Sequence, residues 1–383
     1  MKRIGSVMLA LAVLWGLMPV GAAAAGPEVK AKSAILMDVQ TGTVLCEQNV
    51  HEALAPASVT KVMTMLLIME AIDSGKIGWD DPVTASENAA AKGGSQIYLK
   101  VGETMTVTDM VKSIAVSSAN DCACAMAEYI AGSESAFVDM MNARAKELGM
   151  KDTNFVNCTG LDDDPEAAKH RTSAYDIALM SRELLKNHEE IKKYTTIWMD
   201  TVRGGAFGLA NTNKMVRFYS GCTGLKTGFT TGAGYCLSAS AQRDGLELIA
   251  VVMGAETSQD RFGACKGLLD YGFANYALYT PAVQEGAAVP VKLGAMDSVA
   301  VVPSGQTLLL VDKGQRNTIE SDVVLDESVT APVSQGQRLG TLTIRSGEQI
   351  LGQIPLVAEN AVTRLTTLDL MGRILRRVAM AKT

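Results

Sequence analysis

Histidine and aromatic residues are scarce in this sequence. Of 383 residues, three are histidines and 5% are Phe, Trp or Tyr. A Ser-His-Asp hydrolase needs a histidine beside its nucleophile, and many such enzymes carry the serine in a G-x-S-x-G turn. No G-x-S-x-G segment occurs, and we interpret His51 and His170 as surface polar residues. The sequence therefore argues against a histidine-dependent serine hydrolase.

Long apolar segments are absent outside the N-terminus. Lys2 and Arg3 precede an apolar run over residues 7–20, and small residues follow at 21–25. This order is typical of a secretory signal peptide. The run is shorter than the roughly 20 apolar residues of a spanning helix, although a membrane anchor is the alternative. We therefore predict an exported protein, either secreted or peripheral at the outer face of the cytoplasmic membrane, whose mature chain begins after residue 25.

Net charge and cysteine content indicate which partners, disulfides and metal sites to expect. The formal net charge of −6 gives no general attraction to nucleic acid, so no nucleic-acid partner is expected. Seven cysteines leave at least one thiol outside any intramolecular pairing, and Cys222 with Cys236 is one possible pair. The C-x-C pattern of Cys122 and Cys124 is a weak metal signature. We expect the cysteines to be small buried packing residues and expect no metal site.

Hydrophobic patterning divides the first 279 residues into strands at both ends and helices between them. Strands are predicted at residues 33–39, 43–47, 224–229, 235–241 and 246–253. Helices are predicted at residues 58–72, 108–117, 120–130, 134–148 and 173–185. This order indicates a mixed α/β (α+β) domain over residues 26–279, in which one antiparallel sheet is flanked by helices.

The rest of the sequence has two further parts. Short Val- and Leu-rich runs separated by Gly, Ser, Asp and Pro predict a small all-β domain over residues 280–360, without a catalytic constellation. In residues 361–383, apolar residues recur at spacings of three and four among basic residues. Such a basic amphipathic helix is typical of membrane-surface association, although docking on the same chain is the alternative.

The first chemical pattern is Ser58-Val59-Thr60-Lys61, at the start of an apolar helix. Residues three apart on a helix share a face, so Lys61 is expected beside Ser58. A serine hydroxyl becomes a nucleophile when a base takes its proton, and desolvation of Lys61 favours the neutral amine. Backbone N–H groups at the helix start favour negative charge near Ser58. An N-cap serine with a surface-reaching lysine is the alternative.

The second pattern is Ser118-Ala119-Asn120, in a loop predicted between two helices. There, Ser118 is a candidate proton relay to the leaving group, and Asn120 is a candidate to bind the substrate backbone and hold Lys61. Residues 86–88 have the same S-x-N form but lie in a polar stretch. We favour Ser118 because an interhelical loop holds side chains rigidly, and helix capping is the alternative for either serine.

The third pattern is Lys226-Thr227-Gly228, which is expected to begin a strand. Gly228 permits close approach of a substrate backbone, Thr227 offers a hydroxyl to a terminal carboxylate, and Lys226 supplies a fixed positive charge. The backbone N–H groups of Phe229 and Ser58 are candidates for an oxyanion hole. An ordinary edge strand is the alternative for this pattern taken alone.

The three patterns occur in one order, each on the element type that its chemistry needs, which makes the set far more specific than any member. Together with the surrounding segments 56–64 and 224–235, they resemble the low-molecular-mass penicillin-binding proteins, the serine D-alanyl-D-alanine carboxypeptidases, over residues 31–276. The resemblance implies a serine β-lactamase/DD-peptidase-like fold, followed by the family's β-rich, membrane-proximal domain.

The same resemblance implies a two-step acyl transfer on peptidoglycan stem peptides that end in D-Ala-D-Ala. Ser58 attacks the penultimate D-alanine carbonyl and releases D-alanine, and water then hydrolyses the acyl-enzyme. β-Lactams act as covalent inhibitors at Ser58, and no metal or organic cofactor is implied. The alternatives are a β-lactamase, whose E-x-x-L-N segment does not occur here, and a catalytically inactive penicillin-binding wall protein, which we expect to lack one of the patterns.

Overall fold

The computed structural model describes residues 26–282, 286–369 and 371–372. The predicted signal peptide and much of the predicted terminal helix lie outside these residues. Among the helices of these residues, none is both long enough and apolar enough to cross a bilayer.

Helices and strands alternate in blocks along the chain. The helices are α1 (Lys61–Asp73), α2 (Glu87–Ala90), α3 (Val107–Ser117), α4 (Asn120–Ala131), α5 (Glu134–Glu147), α6 (Ala174–Asn187), α7 (Lys192–Thr195), α8 (Met215–Phe218) and α9 (Ser258–Asn275). The strands up to residue 255 are β1 (Ser33–Asp38), β2 (Val44–Gln48), β3 (Pro82–Thr84), β4 (Thr104–Thr106), β5 (Met199–Val202), β6 (Phe207–Ala210), β7 (Cys222–Thr230), β8 (Gly234–Arg243) and β9 (Leu246–Ala255). The later strands are β10 (Tyr276–Tyr279), β11 (Ala288–Lys292), β12 (Ser298–Pro303), β13 (Leu309–Asp312), β14 (Ile319–Leu325), β15 (Val329–Thr330), β16 (Arg338–Ser346) and β17 (Gln349–Ala358).

A five-stranded sheet with the order β2-β1-β9-β8-β7 forms the centre of the N-terminal part. Every neighbouring pair is antiparallel, and β1 pairs with β9, so strands from the two ends of this region are neighbours. The helices that lie between them in sequence pack beside the sheet, with α6 against β1 and β9. The predicted antiparallel sheet flanked by helices is therefore confirmed.

The central strands are apolar on both faces. In β9, Ile249 and Val251 belong to a core shared with α1, whereas Leu248 and Ala250 belong to a second core shared with α9. Successive side chains of a strand point to opposite faces, so one strand serves both cores. The sheet is thus a buried, rigid support for its edge strand β7.

Helix α9 covers the second face of the sheet and was not predicted from the sequence. Three glycines, at 263, 267 and 272, weaken its helical pattern. Thr257 Oγ1 accepts a hydrogen bond from the Asp260 N–H at 3.0 Å, and this T-x-x-D capping pattern marks the helix start in the sequence. Gly272 lets the helix lie against the sheet, because a Cβ added there would overlap Leu248.

Two predicted boundaries near the candidate site were wrong. Residues 57–60 form a 3₁₀ turn, and the α-helix begins at Lys61 rather than at Ser58. The third pattern lies in the middle of β7, which begins at Cys222, and not at its start. Boundaries depend on hydrogen bonds with neighbouring elements, which local patterning does not contain.

The C-terminal strands form a separate core, as predicted for an all-β domain. Six strands pair in the order β14-β16-β17-β12-β11-β15, and Val289, Leu342 and Leu356 are buried among them. β10 follows α9 directly and pairs with β13, so pairing with this part of the chain begins at Tyr276.

All seven cysteines are free thiols, and six of them are buried. The pairing of Cys222 with Cys236 that the sequence left open is not formed. Burial raises the pKa of the Cys222 thiol to about 11, which keeps this side chain protonated at neutral pH. The expectation of small buried packing residues fits all but the half-buried Cys222.

Candidate active site

Ser58 lies in the tight turn that precedes α1. Ala57, the residue before it, has a left-handed backbone with φ of 48°, and Ser58 itself is half-buried. Lys61 Nζ lies 3.0 Å from Ser58 Oγ. The two groups of the first pattern are therefore in hydrogen-bond contact, and both are fixed by the same short segment.

Lys61 is fully buried, and this burial lowers the pKa of its amine from 10.5 to about 7. Cys158 and Asp121 oppose the shift but do not cancel it. The amine also donates a hydrogen bond to the Thr159 carbonyl at 2.7 Å, a contact that the sequence analysis missed. A backbone carbonyl has no sequence signature. The arrangement provides an oriented amine that is neutral in a large fraction of molecules at pH 7.

The second pattern joins α3 to α4. Ser118 ends α3 in a left-handed conformation with φ of 63°, and Asn120 begins α4. Asn120 was expected to hold Lys61, but its Nδ2 donates to the Gly93 carbonyl at 2.7 Å, and Thr159 holds Lys61 instead. Asn120 Oδ1 is buried and accepts no hydrogen bond from the residues that the structure describes. This oxygen remains an acceptor for a substrate N–H.

Ser86, the other S-x-N serine, is a helix cap. Its Oγ accepts a hydrogen bond from the Ala89 N–H at 3.0 Å and donates one to Glu128 Oε2 at 2.6 Å. These contacts use the donor and one acceptor site of the hydroxyl, which caps the start of α2. Ser86 is therefore a helix-capping residue, which was the alternative interpretation of its S-x-N pattern.

Strand β7 lies against the nucleophile turn. A Cβ added at Gly228 would lie 2.6 Å from the Pro56 carbonyl oxygen and 3.1 Å from the Ser58 nitrogen. A larger residue would push the strand away from the turn, so this close approach needs glycine. The glycine of the third pattern thus holds its strand beside the serine of the first.

A chain of hydrogen bonds links the third pattern to the second. Thr227 Oγ1 donates to Thr212 Oγ1 at 2.7 Å, and the Thr212 N–H donates to the Val116 carbonyl at 3.1 Å. Val116 lies two residues before Ser118 in α3. Strand β7 therefore contacts the nucleophile turn and is linked by hydrogen bonds to the end of α3 that carries the second pattern, although the three patterns are separated by up to 170 residues of sequence.

Lys226 was expected to supply a fixed positive charge to the site. It is fully buried, and its Nζ donates to the Thr227 carbonyl at 2.9 Å. Burial lowers the pKa of Lys226 well below its ordinary value, and the nearby charges of Lys61 and Arg261 add to the effect. A cation at this buried position is costly unless an anion lies beside it, so a positive charge on Lys226 stays a prediction for the substrate-bound site. Phe229, the next predicted site residue, exposes its ring and stacks on Tyr235 at 4.3 Å between ring centroids.

His170 was predicted to be a surface residue, and this was wrong. It is 3% exposed, its Nε2 lies 2.7 Å from Thr60 Oγ1, and its ring packs edge-on against Phe155. His51 does lie at the surface. Polar neighbours in sequence suggested exposure for both, but the segment between α5 and α6 folds under the nucleophile turn and buries His170.

Comparison with known proteins matches both parts of the chain to described families. The family described as D-alanyl-D-alanine carboxypeptidase matches residues 20–257, and the penicillin-binding protein 5 C-terminal domain matches residues 279–364. The D-alanyl-D-alanine carboxypeptidase DacF of Bacillus subtilis is 45% identical over 336 residues, which cover 86% of this chain and 85% of that protein.

Solved structures share this architecture. Penicillin-binding protein 5 of Haemophilus influenzae has a TM-score of 0.80 at 30% identity, and the match covers 89% of this chain and 100% of that chain. The ampicillin-bound form of penicillin-binding protein D2 of Listeria monocytogenes has a TM-score of 0.59 at 33% identity, covering 64% of this chain and 100% of that chain. The chain therefore belongs to the serine-type D-alanyl-D-alanine carboxypeptidase family of penicillin-binding proteins.

Proposed function

We propose that Ser58 removes the terminal D-alanine from peptidoglycan stem peptides through an acyl-enzyme. The observation that carries this proposal is the 3.0 Å contact of Ser58 Oγ with the buried amine of Lys61. Ser58 Oγ bonds to the carbonyl carbon of the penultimate D-alanine while its proton passes to Lys61. The C–N bond then breaks, and the departing amine takes that proton through Ser118. Water hydrolyses the ester and restores the serine hydroxyl.

The remaining site residues bind the peptide in this proposal. The backbone N–H groups of Ser58 and Phe229 stabilise the oxyanion of the tetrahedral intermediate. Thr227 and Lys226 bind the terminal carboxylate, whose charge offsets the cost of protonating the buried amine. Asn120 Oδ1, which is buried without a partner among the described residues, accepts a hydrogen bond from the substrate backbone.

The direct test is an assay of free D-alanine. Incubating the mature protein with a peptide that ends in D-Ala-D-Ala should release D-alanine, whereas a peptide that ends in L-Ala-L-Ala should remain intact. The Ser58→Ala variant should release none. Equal release by wild type and Ser58→Ala would contradict the proposal.

β-Lactams are proposed to acylate the same serine. The related Listeria protein has been solved in ampicillin-bound form, which supports this choice of ligand. Mass spectrometry after incubation with penicillin should show a long-lived adduct on Ser58. Rapid hydrolysis of the drug would instead indicate a β-lactamase, and no adduct with no D-alanine release would indicate an inactive wall-binding protein.

The location of the protein is also a proposal. The basic and apolar spacing over residues 361–383 supports peripheral contact with the outer face of the cytoplasmic membrane after export. Deleting the residues after Thr363 should move the protein from the membrane pellet to the supernatant on sedimentation. Unchanged sedimentation would argue for docking of this segment on its own chain.

A further inference from the structure

Three consecutive hydrogen bonds run from Val156 through His170 and Thr60 to Ala57, the residue before the nucleophile. The Val156 N–H donates to His170 Nδ1 at 3.1 Å. Nδ1 must therefore be the unprotonated nitrogen, so Nε2 carries the hydrogen and donates it to Thr60 Oγ1, 2.7 Å away. The Thr60 hydroxyl then donates to the Ala57 carbonyl at 2.8 Å. Each link fixes the direction of the next, and the series ends one residue before Ser58.

The end of this series is a position that needs support. Ala57 has φ of 48°, a left-handed conformation that a non-glycine residue adopts at a cost unless its surroundings enforce it. Its carbonyl is closely packed, since a Cβ added at Gly160 would overlap the Ala57 oxygen. The orientation of the Ala57–Ser58 peptide is thus set by the segment between α5 and α6, in which Val156, Gly160 and His170 all lie.

We propose that His170 is a positioning residue for the nucleophile: as the neutral Nε2–H tautomer, it holds Thr60 and Ala57 so that Ser58 faces Lys61. This inference rests on the proposed function, because it assigns His170 to the acylation step. His170 contacts Thr60 and not Ser58 Oγ, so it is not the base of the reaction.

Two further observations agree with a ring that is neutral at pH 7. Burial lowers the pKa of His170 to about 4, and the charges of Arg171 and Lys61 add to this shift. The ring is enclosed by the Phe155 side chain and the turn itself. An imidazolium could not accept the Val156 N–H, so protonation would break the first of the three bonds.

Two substitutions separate hydrogen bonding from ring volume. His170→Gln retains one acceptor and one donor, whereas His170→Phe keeps an aromatic ring and removes both. The second-order rate of Ser58 acylation by a fluorescent penicillin should fall at least tenfold in His170→Phe and by less than about threefold in His170→Gln, since small displacements of a nucleophile slow its attack strongly. His51→Phe, at the exposed histidine, is the matched control and should acylate at the wild-type rate.

The proposal is overturned if His170→Phe acylates at the wild-type rate, or if His170→Gln loses as much activity as His170→Phe. If His170→Phe does not fold, Thr60→Val interrupts the same series and should slow acylation to a similar extent; a wild-type rate in that variant also overturns the proposal.

A measurement on the unmodified protein is independent of catalysis. Two-bond ¹H–¹⁵N spectra of the full chain with labelled histidine should show His170 as the Nε2–H tautomer at pH 7, assigned by the signal lost in His170→Gln. An Nδ1–H tautomer or a charged ring would overturn the inference. Failure of the wild type to acylate would refute the proposed function instead, and the tautomer result would still stand.

Discussion

Lys61 and Lys226 are both fully buried, but their surroundings differ. At the start of α1, Lys61 contacts the Ser58 hydroxyl and donates to the Thr159 carbonyl. On the edge strand β7, Lys226 donates to the carbonyl of the residue that follows it, and two other cationic residues lie near. Burial lowers the pKa of both amines.

The two lysines show that the consequence of a lowered pKa depends on the group that the amine contacts. Lys61 faces a hydroxyl, so a neutral amine there is a base. Lys226 is adjacent to Thr227, on the strand that lies against the nucleophile turn, so an arriving carboxylate stabilises its charged form. In the proposed mechanism, the same desolvation therefore supports proton abstraction in one region and anion binding in the other.

The largest effect is expected when one of the two lysines is replaced by methionine, which has no amine. Lys61→Met removes the base and should slow acylation of Ser58 by a labelled penicillin about 10²–10⁴-fold. The matched variant Lys226→Met keeps the base and should retain more activity than Lys61→Met. Stopped-flow fluorescence measures both rates, and melting temperatures control for folding. Equal losses of acylation rate in the two variants would contradict the different roles of Lys61 and Lys226.

The next effect concerns the substrate carboxylate. Wild-type enzyme should prefer a D-Ala-D-Ala peptide with a free carboxylate over its C-terminal amide by roughly 10–100-fold in kcat/KM, which corresponds to about 1.4–2.8 kcal/mol. Lys226→Met should lose most of this preference, because the cation proposed to bind the carboxylate is then missing. Kinetics with the paired peptides test this, and an undiminished preference in the variant would assign carboxylate binding to another residue.

The pH dependence should follow Lys61. This amine accepts a proton only when neutral, and its pKa is about 7. Acylation should therefore rise with pH, by roughly tenfold between pH 6 and pH 8, as the neutral fraction increases. A rate profile with labelled penicillin measures this rise. A rate that is flat across this range, or that falls with pH, would mean that the neutral amine is not the base.

The smallest effect is expected at Thr212, which links Thr227 of β7 to α3. Thr212→Val removes the acceptor of the Thr227 hydroxyl and a hydrogen bond worth about 0.5–1.5 kcal/mol. We expect KM for the peptide to rise by several-fold with little change in the acylation rate at saturating peptide. Steady-state kinetics measure KM and kcat separately. A selective loss of kcat would indicate that Thr212 supports proton transfer by Lys61 and not peptide binding.

The sequence contained the reactive side chains but not what holds them. Ser58 and Lys61 were predicted to meet because their spacing is local, and residues three apart share a face in a 3₁₀ turn as they do in an α-helix. The contact of Lys61 with the Thr159 carbonyl joins residues 98 positions apart, and a carbonyl is the same in every residue. Burial of His170 likewise depends on how a distant segment folds under the turn.

In the fold, too, the elements with a local sequence pattern were predicted and those that depend on tertiary packing were not. Strands β8 and β9 and helix α1 were predicted from the sequence because each is a nearly continuous apolar run. Helix α9 was missed because three glycines weaken its helical pattern, and the close packing of Gly272 against Leu248 appears only in three dimensions.

The central claim is that the amine of Lys61 is largely uncharged at neutral pH beside Ser58. Titration of ¹³Cε-labelled lysine by NMR measures this directly, with the Lys61 signal assigned by its loss in Lys61→Met. A titration midpoint near 7 is expected. A midpoint near 10.5, the ordinary value for lysine, would contradict the account.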